Sequence, residues 1–180
     1  DGALLPGGGG VEYDPHVWLD PLQMAGFAAY VGDALREVDP ENSAGYSAGE
    51  ASTIFELTDL LDGFKTGLAS CKYRTFVVSH EAFQYLAAAT GLQQIGIQGL
   101  VPESEPMADR IRAAASAIAS GDAAPVVFYE NTDEGKRVAG SVAADAGVTT
   151  LPLYTLESTP PSGDYLTMMR SNLANLREGL

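Results

Sequence analysis

An α/β protein built on a parallel sheet is what the sequence predicts, on two observations. After Lys72, short runs rich in β-branched residues alternate with amphipathic runs that close on glycine, and strands separated by helices assemble into parallel sheets because each parallel connection needs a long crossover. Before Lys72 the texture is helical, punctuated by Asp20-Pro21 and Asp39-Pro40. The expected architecture is a C-terminal lobe with a four-stranded parallel sheet and helices on both faces, preceded by a long linking helix and a smaller N-terminal part. The expected boundaries are 1–12 for a flexible Gly-rich loop, 13–38 for the N-terminal part, 39–72 for the linking helix and 73–180 for the lobe.

The elements follow in order. Residues 1–10 hold a run of consecutive glycines and Pro6, a composition that cannot offset its ordering entropy by burial, so no secondary structure is expected there. Asp20 followed by Pro21 reads as an N-cap and first helical residue, and Leu22, Met24, Phe27, Ala28, Val31 and Leu35 recur at helical spacing up to about Glu37. From Glu41 to Cys71 the apolar residues Tyr46, Phe55, Leu57, Leu60, Leu61, Phe64 and Leu68 keep a three-and-four spacing without proline, which predicts one helix of roughly 45 Å; two helices broken near Gly45 to Gly49 are the alternative. Strands are predicted at Thr75–Ser79, Gln94–Ile97, Pro125–Tyr129 and Val148–Leu153. Helices are predicted at Glu81–Thr90, Pro106–Ser120, Asp133–Ala146 and Asp164–Arg177, the first three ended by Gly91, Gly121 and Gly147.

Composition narrows the partners. At 180 residues and 46% apolar the chain can bury a substantial core. Its net charge of −14 argues against nucleic acid and anionic membranes and is compatible with cations, although an acidic surface that serves solubility alone has the same sum. Cys71, the single cysteine, excludes an intramolecular disulfide and a Cys-rich zinc site, and is expected to be a buried thiol. No apolar run is long enough to cross a membrane, and the first residues lack the basic-then-apolar pattern of a leader.

The most distinctive stretch is Asp14-Pro15-His16-Val17-Trp18-Leu19-Asp20-Pro21, which places one of two histidines and the single tryptophan between two Asp-Pro pairs. Asp14-Pro15 restricts the backbone ahead of His16, and a loop histidine beside tryptophan is by itself most often a packing or capping residue. The stretch resembles the motif with which the zinc and manganese substrate-binding proteins of ABC transporters present a metal-ligating histidine. A second signature of that family resembles Val78-Ser79-His80-Glu81-Ala82-Phe83-Gln84-Tyr85-Leu86, where His80 follows a predicted strand. Ligands of open parallel sheets bind beyond such strand ends; without the resemblance, His80 is as well suited to capping the next helix.

The resemblance covers Tyr13 to Leu180 and implies a third ligand near Leu153-Tyr154-Thr155-Leu156-Glu157-Ser158, where Glu157 is the best match to the family's acidic residue and solvated loop charge is the alternative. Glu103-Ser104-Glu105-Pro106 resembles the family's entry to its second helix of this lobe and is read as structural. Glu130 and Asn131, at the end of a predicted strand, are candidates to contact the ligands rather than the ion. The family carries a further N-terminal segment with its first ligand histidine; on that basis residues 13–38 are expected to be the remnant of an N-terminal lobe, and the chain a mature form or a fragment.

The implied ligand set of two imidazoles, a carboxylate and one more donor suits Zn2+ better than Mn2+, which prefers harder oxygen donors. The implied function is metal capture outside the cytoplasm, periplasmic or extracellular and membrane-anchored in the full-length protein, for delivery to an ABC-transporter permease, with the chain acting as a monomer. Nucleotide hydrolysis would lie in a separate subunit, since no Gly-rich Lys-Ser/Thr loop occurs. Two other classes are open: a zinc hydrolase with Glu81 or Glu130 as general base, for which no His-Glu-x-x-His motif is present, and a surface adhesin of the same family.

Overall fold

The computed structural model describes residues 4–7, 12–100, 108–157 and 163–180. Its helical half is a hairpin. α1 (Pro21–Val38) starts where Asp20 accepts the backbone N–H of Leu22, with Pro21 in the first turn. A 3-10 turn at Pro40–Asn42 reverses the chain into α2 (Ser43–Leu68), whose 26 residues form a single helix of about 39 Å. The glycines between Gly45 and Gly49 do not break it. Ala25 and Gly32 are buried on the inner side of α1, and at Gly32 the absent side chain makes room for the Glu50 carboxylate, which pairs with Arg36. Leu22, Phe27, Tyr30 and Val31 are more than half exposed, and Phe27 and Val31 line a groove with Gly49 and Thr53 of α2.

The remaining elements are β1 (Thr75–Val78), α3 (Gln84–Thr90), β2 (Gln93–Gly96), α4 (Ala108–Ser120), β3 (Val126–Glu130), α5 (Asp133–Ala146), β4 (Thr149–Leu153) and α6 (Tyr165–Gly179). The four strands form one sheet in the order β2-β1-β3-β4, every pair parallel. Pleating sends alternate residues to opposite faces. Phe76, Val78, Val126 and Phe128 pack with Leu60, Phe64 and Leu68 of α2, Leu86 of α3 and Met169 and Leu176 of α6. Val77 and Val127 point the other way, onto Ala114 and Ile118 of α4 and Val138 and Val142 of α5. Helices thus cover both faces, as α/β alternation requires.

Some boundaries differ from expectation for identifiable reasons. The helix expected from Glu81 begins at Gln84, because the Phe83 N–H goes to the Gln94 side chain and Glu81 turns aside to pair with Arg110. Strand limits shift by one residue at β2, β3 and β4, and α6 runs from Tyr165 to Gly179 with Asp164 as its N-cap. Leu5 to Gly7 are not structureless: Pro6 and Tyr13 form an antiparallel bridge that brackets the glycine tract. Cys71 is half-buried rather than buried. The start expected for α4, with Glu103 and Glu105, and also Ser158, lie outside the described residues.

α5 begins close under the end of β3. Thr132 caps it by accepting the Gly135 N–H, and a Cβ at Gly135 would lie 2.4 Å from the Glu130 carbonyl oxygen. Gly135→Ala is therefore expected to lower stability by about 1–3 kcal/mol through overpacking. Gly140→Ala in the same helix, where a Cβ meets nothing within 4 Å, is the control and should stabilise slightly; thermal unfolding of the two variants distinguishes them.

Candidate metal centre

The order β2-β1-β3-β4 reverses direction between β1 and β3, and beyond the carboxyl ends of such strands a parallel sheet opens a crevice. His80 leaves β1 and is fully buried; Glu130 ends β3 and is 9% exposed. The segment after β4 brings Thr155 and Glu157 to the same place, and the loop before α1 brings His16, 1% exposed, from the other end of the chain. Ligand atoms of His16, His80 and Glu157 all lie within 4.8 Å of one another. The two imidazoles meet edge to face with centroids 5.0 Å apart.

Local bonds explain how His16 arrives there. Asp14 accepts both the backbone N–H of His16, at 2.9 Å, and its ring Nδ1–H, at 2.6 Å. This turn holds the imidazole by its inner nitrogen and leaves Nε2 facing Glu157 Oε1 at 3.0 Å. The segment itself is pinned at several points. The Tyr85 hydroxyl donates to the Asp14 carbonyl, Trp18 Nε1–H donates to the Thr155 carbonyl at 2.7 Å, and the Tyr165 hydroxyl donates to the Trp18 carbonyl. Trp18 therefore ties the His16 loop to the Glu157 loop, and its ring packs on His16 with centroids 5.4 Å apart.

The Glu157 loop is equally constrained. Asn172, fully buried on α6, accepts the Tyr154 N–H and donates to the Tyr154 carbonyl. Thr155 donates its hydroxyl to Glu130 Oε1 at 2.9 Å, and the Glu130 N–H donates to Ser79 Oγ. Leu156 then takes φ 61°, the one positive φ at a non-glycine residue among those described. Such a conformation costs about 1–3 kcal/mol, and it swings the chain so that Glu157 comes back over His16. Glu157 keeps 28% of its side chain exposed, forming the rim of the cluster.

Charge at the site is set by this packing. Burial alone would lower the His16 pKa, but hydrogen bonds to Asp14 and Glu157 and the charges of both carboxylates outweigh it and push it up to about 9. In the metal-free chain His16 is therefore an imidazolium clamped between two carboxylates. Burial tends to raise Glu130, yet the neighbouring His80 ring and the Thr155 hydroxyl hold its carboxyl below the usual range. Two atoms in the cluster have no hydrogen-bond partner although buried, Asp14 Oδ2 and His80 Nδ1. Unpaired buried polar atoms beside two imidazoles and carboxylates are what a cation site leaves behind.

Of the residues singled out in the sequence, His16, His80, Glu157 and Glu130 come together here, while Asn131 is exposed and Glu81 is occupied by Arg110 at 2.7 Å. Asp14 was missed as a partner of His16. The signal was present in its spacing: an Asp two residues before a histidine can hold both its backbone and its ring in one turn.

Comparison with known proteins agrees in fold. The family described as zinc-uptake complex component A, periplasmic, matches residues 2–179. The zinc-binding protein AdcA of Streptococcus pyogenes is 34% identical over 170 residues, which is 92% of this chain and 33% of AdcA. The crystal structure of AdcAII from Streptococcus pneumoniae superposes with a TM-score of 0.85 at 32% identity, covering all of this chain and 68% of that one. The laminin-binding protein Lmb of Streptococcus agalactiae, described as a bifunctional protein with adhesin and metal transporting activity, gives a TM-score of 0.88 at 28% identity over 98% of this chain and 67% of its own. The chain thus spans about a third of the curated AdcA relatives it matches.

Proposed function

The chain belongs to the family of periplasmic zinc-uptake component A, and from that premise we propose that it captures a divalent transition metal, zinc in preference to manganese, outside the cytoplasm for delivery to the permease of an ABC importer. The observation that carries this reading is the convergence of two buried imidazoles and a carboxylate within 4.8 Å. His16, His80 and Glu157 are the ligands. Two neutral nitrogen donors and one carboxylate oxygen form three corners of the tetrahedron zinc prefers, and a fourth position stays open for water or a further donor. The ion is cargo, so the site has to release it as well as hold it.

Within this reading residues 39–72 join a lobe at 73–180 to one that includes residues 13–38. The chain acts as a monomer that docks on the permease. His16 and Glu157 come from opposite ends of the chain and already meet at 3.0 Å without the ion; the metal favours this closed arrangement by binding it more tightly than an open one. No helix among the described residues is long and apolar enough to cross a membrane, so retention near the permease falls to an anchor on the full-length protein. Intact-mass spectrometry under native conditions, with zinc and manganese offered in equal amounts, is the test. One zinc per chain supports the proposal; no bound metal, or manganese in place of zinc, overturns it.

A further inference from the structure

The His16 and Glu157 segments meet through two hydrogen bonds of different kinds. One joins the ligand atoms themselves, His16 Nε2 and Glu157 Oε1 at 3.0 Å. The other leaves the ligand atoms free: Trp18 Nε1–H donates to the Thr155 carbonyl at 2.7 Å. An ion held by both side chains takes the first bond apart, because the same nitrogen and oxygen must turn their lone pairs to the metal. The second bond uses neither, so it can keep the spacing of the two segments in the empty and the loaded chain alike.

Both ends of that bond are themselves fixed. The Trp18 carbonyl accepts from the Tyr165 hydroxyl at 2.8 Å, and the next residue, Leu19, is fully buried. Thr155 is 4% exposed and is held twice, by its carbonyl on Trp18 and by its hydroxyl on Glu130. One residue further on, Leu156 takes its φ of 61°, a conformation that persists only while its surroundings over-determine it. Releasing the Thr155 carbonyl lets Leu156 return to negative φ, and Glu157 then leaves the place where the imidazoles converge.

We propose that Trp18 is a positioning residue for metal capture: its indole N–H, acting through the Thr155 carbonyl, holds Glu157 at the spacing from His16 that the ion requires. Zinc then meets a carboxylate already in place. A ligand that is pre-placed need not be ordered at the moment of binding, so loss of the bond costs affinity although Trp18 never touches the ion. This inference rests on the metal-capture reading above and deepens it.

Trp18 is the single tryptophan, so biosynthetic replacement of tryptophan by its benzothiophene analogue exchanges this one N–H for sulfur and keeps the ring that packs on His16. The analogue is expected to weaken zinc binding about tenfold in a competition titration, the value of one hydrogen bond. Replacement by 7-azatryptophan, which keeps the N–H, should leave the affinity of the parent chain. A bond that only supports the fold would lower the thermal midpoint of the metal-free chain and leave zinc affinity unchanged; that result overturns the role of Trp18 and leaves metal capture standing. A parent chain that binds no zinc overturns metal capture itself. As a second readout, the same exchange is made in Glu157→Ala. With the carboxylate gone the indole N–H has nothing to place, so the tenfold effect should vanish. An undiminished effect there would also overturn the proposal, since Trp18 would not be acting through Glu157.

Discussion

Replacing His16 with alanine is expected to weaken zinc binding by more than a hundredfold, and replacing His80 with alanine by a similar factor. Loss of a residue that merely supports a ligand costs about 10–100-fold in affinity, so loss of a ligand should exceed that range. Both rings are essentially fully buried, and truncation leaves a polar cavity that water can enter but cannot organise. The fold should survive, because the main apolar clusters, centred on Phe64, Phe76 and Phe128 and on Val77 and Val127, are built from other residues. Competition titration with a chromophoric chelator measures the affinities, and circular dichroism checks the fold. His16→Ala binding zinc as tightly as the parent chain would remove the centre proposed here.

Acidity should produce the second large effect. The His16 pKa near 9 in the metal-free chain means that zinc must displace a proton at neutral pH. Each unit of pH below about 9 is expected to weaken the apparent affinity about tenfold, with about one proton released per zinc near pH 7.5, readable by calorimetry in buffers of different ionisation enthalpy. The stability of the metal-free chain has the opposite slope. A folded-state pKa raised from 6.5 to about 9 contributes stability that is complete below about pH 6.5 and is lost as pH rises to about 9. Its magnitude is on the order of a few kcal/mol. Metal-free thermal midpoints should therefore fall across this window while zinc-loaded midpoints do not.

The sequence carried most of the fold in local signals. Asp20-Pro21 marked the start of α1 through a cap whose donor and acceptor lie two residues apart. Gly91 and Gly147 marked helix ends because both adopt a left-handed conformation that glycine enters freely. The start of α3 was not legible, since the Gln94 side chain that takes the Phe83 N–H belongs to a different element. For the same reason His16 and His80 stood out through their motifs, whereas their juxtaposition did not follow from any spacing. Glu157 depended on the positive φ at Leu156, which nothing in Leu-Glu-Ser announces. The contact of Glu130 with Thr155 joins the end of β3 to the segment that follows β4, and the pairing of those two strands is tertiary.

The bonds that complete the site span nearly the whole chain: Trp18 to Thr155 across 137 positions, and His16 to Glu157 across 141. Contacts of such separation close the longest loops and form late in folding. A chain that has not yet brought these segments together has no complete site to offer, so zinc is not expected to guide that step. The ion should leave the refolding rate nearly unchanged and slow unfolding instead, as expected of interactions absent from the transition state. Stopped-flow refolding with and without zinc would show this; on the capture reading proposed above, the metal would act as a seal, held only by molecules in which the His16 and Glu157 segments have already met.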